Sequence, residues 1–337
     1  MPRFTIQSAA ALSIDRTGTK PITLVAAVLL WAAAAPPSLA ITYTSLDDPL
    51  ATRGSYATGI SGNNIVGGYS DPVVGHGFLY NGSTYMTLDD TLPGAAGTSP
   101  GGIDGNNVVG HYSNPGINGF LYNGSTYTTL NDPLSPGNTY ANGISGNNIV
   151  GFYDSASGFH GFLYDGTTYT TLNDPLAATG NTIGTFALGI SGNNIVGFYN
   201  SASGEEGFLY NGTTYTNMDD PLAFSGTTRP RGISGNNIVG QYTDALGALH
   251  GFLYNGSTYM TLDDPLAGPQ GTAAYGISGN KIVGQYTDSL GNTHGFLAIV
   301  PEPATWALLV TGCAGLFVFR RHKNKTARTN NTAAGAF

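Results

Sequence analysis

Between residues 41 and 300, apolar and polar positions alternate in short runs and never settle into a helical period. The run "GISGNNIVGFYDSASGFHGFLYDGTTYTTLNDPL" (143–176) shows the pattern at its fullest. It divides into a piece ending in "GIS", then "NIVGFY", "HGFLY" and "TYTTLND". In "HGFLY", Phe162 and Tyr164 fall on one face and Leu163 on the other; in "TYTTL", Tyr169 and Thr171 oppose Thr170 and Leu172. The breaks are Gly-Asn, Asn-Gly or Asp-Gly, dipeptides that supply the positive φ values of tight hairpins. The pattern predicts four short antiparallel strands per unit. Glycines before Phe and after Val let neighbouring sheets approach closely.

The unit recurs. Gly-Ile followed by a Gly-Asn turn returns at Gly59, Gly102, Gly143, Gly189, Gly232 and Gly276, with spacings of 43, 41, 46, 43 and 44. Tandem four-strand meanders of about 43 residues are the signature of propeller blades. The sixth repeat passes "KIVGQY" and "HGFLAIV" and then runs into Pro301 with no fourth strand. The segment 41–50, "ITYTSLDDPL", is a fourth strand with no blade. The two truncations are complementary, so the expectation is an all-β, six-bladed β-propeller over 41–300. Its N-terminal strand completes the last blade and removes both open edges.

The flanks differ from this pattern. Arg3, Arg16 and Lys20 precede an apolar run at 22–35, and "SLA" (38–40) places small residues at a peptidase site ending at Ala40. Residues 1–40 therefore read as a secretory signal peptide. At the other end, Pro301, Glu302 and Pro303 precede sixteen uncharged residues, 304–319, followed by Arg320, Arg321 and Lys323. Sixteen helical residues reach about 24 Å at ~1.5 Å each, short of the ~30 Å hydrocarbon core. The segment 301–323 resembles the PEP-CTERM sorting signal of Gram-negative bacteria in its triplet, apolar stretch and basic pair, with a polar tail, 324–337, beyond. The resemblance implies export, an inner-membrane intermediate, cleavage by an exosortase near the triplet, and release to the cell surface or extracellular polysaccharide matrix. The repeats resemble the HAF family of extracellular repeats through "HGF" at His76, His160, His250 and His294, together with "IVG" and the Gly-Asn turn. That resemblance implies an extracellular repeat domain and assigns no reaction.

Charge narrows the partners. Residues 41–300 hold four basic and eighteen acidic side chains, a formal charge of 4 − 18 = −14. Arg53, Arg229, Arg231 and Lys281 cannot neutralise a run of phosphates, so nucleic acid is not an expected partner. The one cysteine, Cys313, lies in the apolar tail segment, which excludes disulfides and thiol chemistry from the repeats.

Candidate chemistry follows from comparing the six copies. In a meander, the first and third turns share one face of the disc and the other loops share the opposite face. The first set is monotonous ("GNN", "NGS"), whereas the second varies. Ligand-binding candidates are accordingly placed on the variable face or at the channel mouth: Tyr140, Phe159, Phe186, Glu205, Glu206, Arg229, Arg231 and Tyr275. The histidines before Gly-Phe share their slot with Asn118 and Glu206, which suits a polar strand end better than a metal ring, and His111 is read as structural too. Acid pairs recur as Asp47-Asp48, Asp89-Asp90, Asp219-Asp220 and Asp263-Asp264, with Asn131-Asp132 and Asn173-Asp174 in the same slot. They fit a strand exit into an Asp-Pro turn, and weakly held calcium is the single metal they leave open. Four sequons, at Asn81, Asn123, Asn211 and Asn255, fall in the third turn, where Asn-Gly explains them without sugar. No catalytic motif is present and no cofactor is implied. The expected function is a non-enzymatic binding or structural role on extracellular polysaccharide; the alternative is a propeller hydrolase or lyase acting on it.

Overall fold

The computed structural model describes residues 40–301, other than 93, 136, 179, 181 and 182. The expected leader and sorting segment, with Glu302, Pro303, Arg320 and Arg321, lie outside this range apart from Ala40 and Pro301. Among the described residues every regular element is a strand, and no helix is long and apolar enough to cross a membrane.

Six four-stranded antiparallel sheets form the blades of a propeller. In blade three, strands a to d are Thr139–Ser145, Asn148–Ser155, Gly158–Tyr164 and Tyr169–Leu172, hydrogen-bonded in chain order. Blades one, two, four and five repeat that order, with a strands at Ser55–Ser61, Ala96–Asp104, Thr185–Ser191 and Arg229–Ser234. Blade six takes Thr272–Ser278, Lys281–Thr287 and Thr293–Ile299 from the end of the domain, and Thr42–Leu46 from its beginning. Thr42 lies opposite Ile299 and Leu46 opposite Gly295, so the N-terminal strand supplies the missing outer edge. Tyr286 of blade six finds Ser45 of that strand at 2.9 Å, just as Tyr153 finds Thr171 at 3.2 Å within blade three.

The core lies between blades. Phe78, Phe120, Phe162, Phe208, Phe252 and Phe296, one per blade, are fully buried. Each covers a b-strand glycine: a Cβ on Gly151 would lie 1.9 Å from the Tyr140 carbonyl oxygen and 2.8 Å from the Phe162 ring. Each seam repeats one cluster. Val109 of blade two packs on Ala141, Ile144, Ile149, Tyr153 and Phe162 of blade three. Val283 of blade six packs with Leu46 on the corresponding residues of blade one. The second acid of each pair is buried and locks a blade to its neighbour: Asp132 N–H donates to Thr139 Oγ1 at 3.1 Å, and Asp132 Oδ1 accepts from Leu134 N–H at 2.8 Å. Between blades six and one the same lock joins Asp48 N–H to Ser55 Oγ at 3.0 Å.

Candidate functional site

The a strands line the axis, and each carries a bulge just before its repeat glycine; blade two has a second, between Ala96 and Thr98. In blade three the register with strand b slips between Ala141 and Gly143, leaving Asn142 unpaired. The same slip leaves Thr58, Gly101, Leu188, Arg231 and Tyr275 unpaired in the other blades. A bulge re-aims its side chain out of the sheet. These six residues therefore face the axis at one level, and all six line the same channel cavity. Immediately below, the six repeat glycines form the constriction. A Cβ on Gly276 would lie 3.0 Å from Gly59 Cα, and one on Gly59 would lie 3.1 Å from Gly102 Cα. The cavity above the glycines is about 270 Å³, and the channel at their level only about 80 Å³.

The wide mouth opens on the variable face. Besides the bulge residues it is lined by Tyr56, Ser99, Pro100, His111 and Gln285, and no carboxylate is among its lining residues. Arg231 Nε–H donates to Gln241 Oε1 at 3.2 Å, and its guanidinium lies 4.8 Å from the centroid of the Tyr275 ring. Its Nη groups make no hydrogen bond among the described residues. Desolvation pushes the Arg231 pKa down and the Tyr275 pKa up. Burial pushes His111 down to about 4, so it is a neutral imidazole at neutral pH, and its Nδ1 is buried with no hydrogen-bond partner.

From His111 an aromatic arc runs around the mouth. His111 meets Tyr140 edge-on at 5.1 Å, Tyr140 stacks on Phe152 at 4.5 Å, and Phe152 meets Phe186 at 4.9 Å. Phe186 stacks on Phe198 at 4.5 Å, and the Arg229 guanidinium lies 5.2 Å from the Phe198 centroid. The arc arises because an a-strand residue two before each bulge pairs directly with a b-strand residue. Tyr140 lies opposite Phe152, Phe186 opposite Phe198, Arg229 opposite Gln241. Phe159 and Glu205 join from strand c, each held by an isolated parallel bridge to the next blade, at Gly184 and Thr227. Phe159 then touches both Phe152 and Phe186, and Glu205 accepts both Nε–H and Nη2–H of Arg229.

The structure thus gathers Tyr140, Phe159, Phe186, Glu205 and Arg229 along the arc, and Arg231 and Tyr275 in the cavity. Glu206 sits apart from both. It occupies the strand-c slot that holds histidine in four blades and pairs with Asp219 at the outer rim. The equivalent pairs are His76 Nδ1–Asp89 Oδ2 at 2.8 Å, Asn131 Nδ2–Asn118 Oδ1 at 2.9 Å and His160 Nδ1–Asn173 Oδ1 at 2.9 Å. His250 Nδ1–Asp263 Oδ2 at 3.0 Å and His294 Nδ1–Asp47 Oδ2 at 2.9 Å complete the set. Burial and the neighbouring Glu206 carboxyl raise Asp219 to about 6, while the hydrogen bond with Asp219 holds Glu206 down. First acids and histidines are therefore partners across strands c and d. Among the described residues no group of three or more His, Cys, Asp or Glu could hold a metal ion.

Sequence reasoning missed Thr58, Asn142, Leu188, Phe152 and Phe198, and it read His111 as structural although His111 lines the cavity. The available signal was the residue before each Gly-Ile, which is Thr, Gly, Asn, Leu, Arg or Tyr in the six copies and never repeats.

No protein-family model matches the chain, and no curated protein matches it. Among solved structures, the chain is similar to the Agrobacterium tumefaciens protein designated TolB, with TM-score 0.51 and 15% identity over 74% of this chain and 91% of that one. It is also similar to Aleuria aurantia lectin in complex with alpha-methyl-L-fucoside, with TM-score 0.46 and 14% identity over 78% of this chain and 99% of that one. A third likeness is to Trypanosoma rangeli sialidase, with TM-score 0.45 and 9% identity over 88% of this chain and 63% of that one. At these identities the likeness concerns the fold, and the chain is a six-bladed β-propeller.

Proposed function

We propose that this chain is an exported, non-enzymatic binding propeller that holds a saccharide at the wide mouth of its channel, as a surface- or matrix-associated partner of extracellular polysaccharide. The observation that carries the reading is the ring of six different residues, five side chains and a glycine, at one repeated backbone position, beside an aromatic arc. A structural unit repeated six times has no need to vary there. Partly open aromatic edges with amides and hydroxyls around them suit the mixed apolar and polar faces of sugars. The leader, the Pro301–Pro303 triplet and the Arg320-Arg321 pair support export with exosortase processing from an inner-membrane intermediate in a Gram-negative bacterium.

Binding is favoured over hydrolysis or elimination by the chemistry of the cavity. Most glycosidases place two carboxyl groups about the scissile bond, and even where a tyrosine is the nucleophile a base must activate it; the lining holds no carboxyl group. A lyase needs a base poised near the working pH. Tyr275 is shifted upward and His111 down to about 4, both away from that range. The test is a glycan array followed by titration calorimetry on a bound oligosaccharide, with product analysis after long incubation. Binding without turnover is the expected result. Phe186→Ala should weaken it about fivefold or more, in line with the ~1 kcal/mol loss that marks an interface anchor. Steady release of shortened or unsaturated product would make the chain an enzyme instead.

A further inference from the structure

Within a domain of formal charge −14, the widest part of the channel holds an arginine and no acid. Basic side chains are scarce between 41 and 300, and the other two whose contacts are seen lie outside the cavity with their terminal nitrogens already hydrogen-bonded. Arg229 is bound by both oxygens of Glu205. Lys281 donates to the Gly62 carbonyl oxygen and to Asn63 Oδ1 on the opposite face. Arg231 differs. Among the described residues its side chain makes one hydrogen bond, from Nε to an amide oxygen, and it lies against the Tyr275 ring, which faces the same cavity. Glu205, the carboxylate whose field reaches Arg231, is already taken by Arg229. A guanidinium placed this deep without a counter-ion is costly unless something supplies one.

We propose that the channel mouth is a receptor for the carboxylate of an acidic sugar unit, with the Arg231 Nη groups as its anion-binding fork. This rests on the saccharide reading above and narrows it to carboxylated polysaccharides. A planar guanidinium and a carboxylate match as a two-point pair. Around that point the cavity offers the Tyr275 hydroxyl and the Gln285, Asn142 and Ser99 side chains, which suit the ring hydroxyls. A cavity of about 270 Å³ that narrows to about 80 Å³ at the glycines suits a single sugar unit and not an extended chain. The glycine constriction below stops deeper entry. The acidic unit therefore enters end-on or as a branch, while its neighbours lie along the arc from Tyr140 to Phe186.

The discriminating experiment is calorimetry of the full-length chain with oligomers of galacturonate, glucuronate and mannuronate, their methyl esters, and neutral oligosaccharides of the same length. Esterification removes the charge and keeps the ring. At least one acid should bind roughly ten- to a hundredfold more tightly than its ester, the ratio expected for a hydrogen bond to a charged group. Arg231→Asn should collapse that ratio towards one. Asn already occupies the same bulge in blade three, so the backbone accommodates it. Arg231→Lys should keep part of the preference, and Phe186→Ala should weaken acid and ester alike. Equal affinity for acids and esters, or an acid preference that survives Arg231→Asn, overturns the inference and leaves saccharide binding standing. No binding of any member of the panel overturns both.

Discussion

At the narrow end of the channel, Gly62 N–H donates to Ser278 Oγ of the preceding blade at 3.2 Å, and Gly146 N–H to Asp104 Oδ2 at 2.7 Å. The other four blades make the same bond, from Gly105, Gly192, Gly235 and Gly279 to Ser61, Ser145, Ser191 and Ser234. The result is a closed ring of six hydrogen bonds between blades. One level above the constriction, at the wide end, Thr58, Gly101, Asn142, Leu188, Arg231 and Tyr275 occupy equivalent places and share no chemistry. Both sets lie on the same a strands. The difference is mechanical. Residues of the lower ring bond to a neighbouring blade, so each must present a hydrogen-bond acceptor at the same place for the ring to close, a serine hydroxyl in five blades and the Asp104 carboxylate in one. A bulged residue is released from the ladder and has no fixed partner to meet. Thr58 Oγ1 donates to the Pro100 carbonyl oxygen at 2.8 Å and Asn142 Nδ2 to that of Ala187 at 3.3 Å, both in the next blade, while Leu188 and Gly101 fill the same place without such a bond. Identity there is therefore less constrained by the fold. The fold is held by what repeats, and its specificity resides where repetition is not required.

The comparison breaks first where the ring is completed. Removing residues 41–48 from the full-length chain strips blade six of its outer strand, of buried Leu46, and of the Asp48–Ser55 lock. Burial of one leucine contributes about 1.5–3 kcal/mol and each ladder bond ~1 kcal/mol net. A loss near ~5 kcal/mol corresponds to roughly 10–20 °C in melting temperature for a domain this size. Scanning calorimetry should show that drop, and returning the strand after Val300 should restore most of it. A shift of a degree or two would mean that the ring does not depend on this strand.

Two adjacent residues sharpen the same contrast. Gly276→Ala places a Cβ 3.0 Å from both Gly59 Cα and the Thr58 carbonyl oxygen, inside the constriction. Overpacking of that kind costs about 1–3 kcal/mol, or roughly 2–12 °C. Tyr275→Asn, one residue earlier, removes a ring that rests on Arg231. It should cost no more than ~1 kcal/mol of stability and act on ligand binding instead. Thermal melts of the two variants side by side give the answer, and equal losses would mean that the bulge side chains are part of the packing after all.

The blades, their count and the exchange of the terminal strand were legible in the sequence because each depends on local periodicity and turn residues. "NGS" in the third turn behaves as its composition suggests, with Asn81 Oδ1 accepting from Ser83 N–H at 3.0 Å and Thr84 N–H at 2.9 Å. The site was legible only in part. Arg231 and Tyr275 stood out by type, but Thr58, Asn142 and Leu188 share their position solely through a bulge, and strand register is invisible until pairing partners are known. Phe152 and Phe198 lie in "VGFY" runs that read as interior strand, and only the pairing with Tyr140 and Phe186 brings them to the mouth. Glu206 was grouped with Glu205 by sequence, yet alternation along the strand sends adjacent side chains to opposite faces. Glu205 therefore reaches Arg229 while Glu206 reaches Asp219.

The smallest expected effect concerns that rim pair, which sets blade four against the other five. In blades one and six a histidine faces the acid, and hydrogen bonds to Asp89 and Asp47 help to raise His76 and His294. In blade four two carboxyls face each other and share a proton, with Asp219 raised to about 6 by burial and by Glu206. The pair titrates as a unit. A carboxyl whose folded pKa lies above its unfolded value stabilises the fold while protonated, and that contribution is lost as pH rises from about 4 through about 6. The raised histidines have the same sign: their contribution is whole below the unfolded value of 6.5 and fades as pH rises through the higher folded one. These contributions fade between pH 5 and pH 8, whereas His111, held down to about 4 by burial, adds stability as pH rises to its unfolded value of 6.5. The blade-four share is therefore read from the difference between variant and wild type. Asp219→Asn removes that share. Asparagine already fills the equivalent slot at Asn131 and Asn173, so the backbone should be undisturbed. Because Asp219 is only partly buried, with more than a third of it exposed, the gain at pH 8 is discounted to less than about 1 kcal/mol, a degree or two in melting temperature. At pH 5, where the wild-type pair still holds its shared proton, the variant should gain nothing. Melting curves at the two pH values decide it, and a gain of equal size at both would mean that the pair does not share a proton.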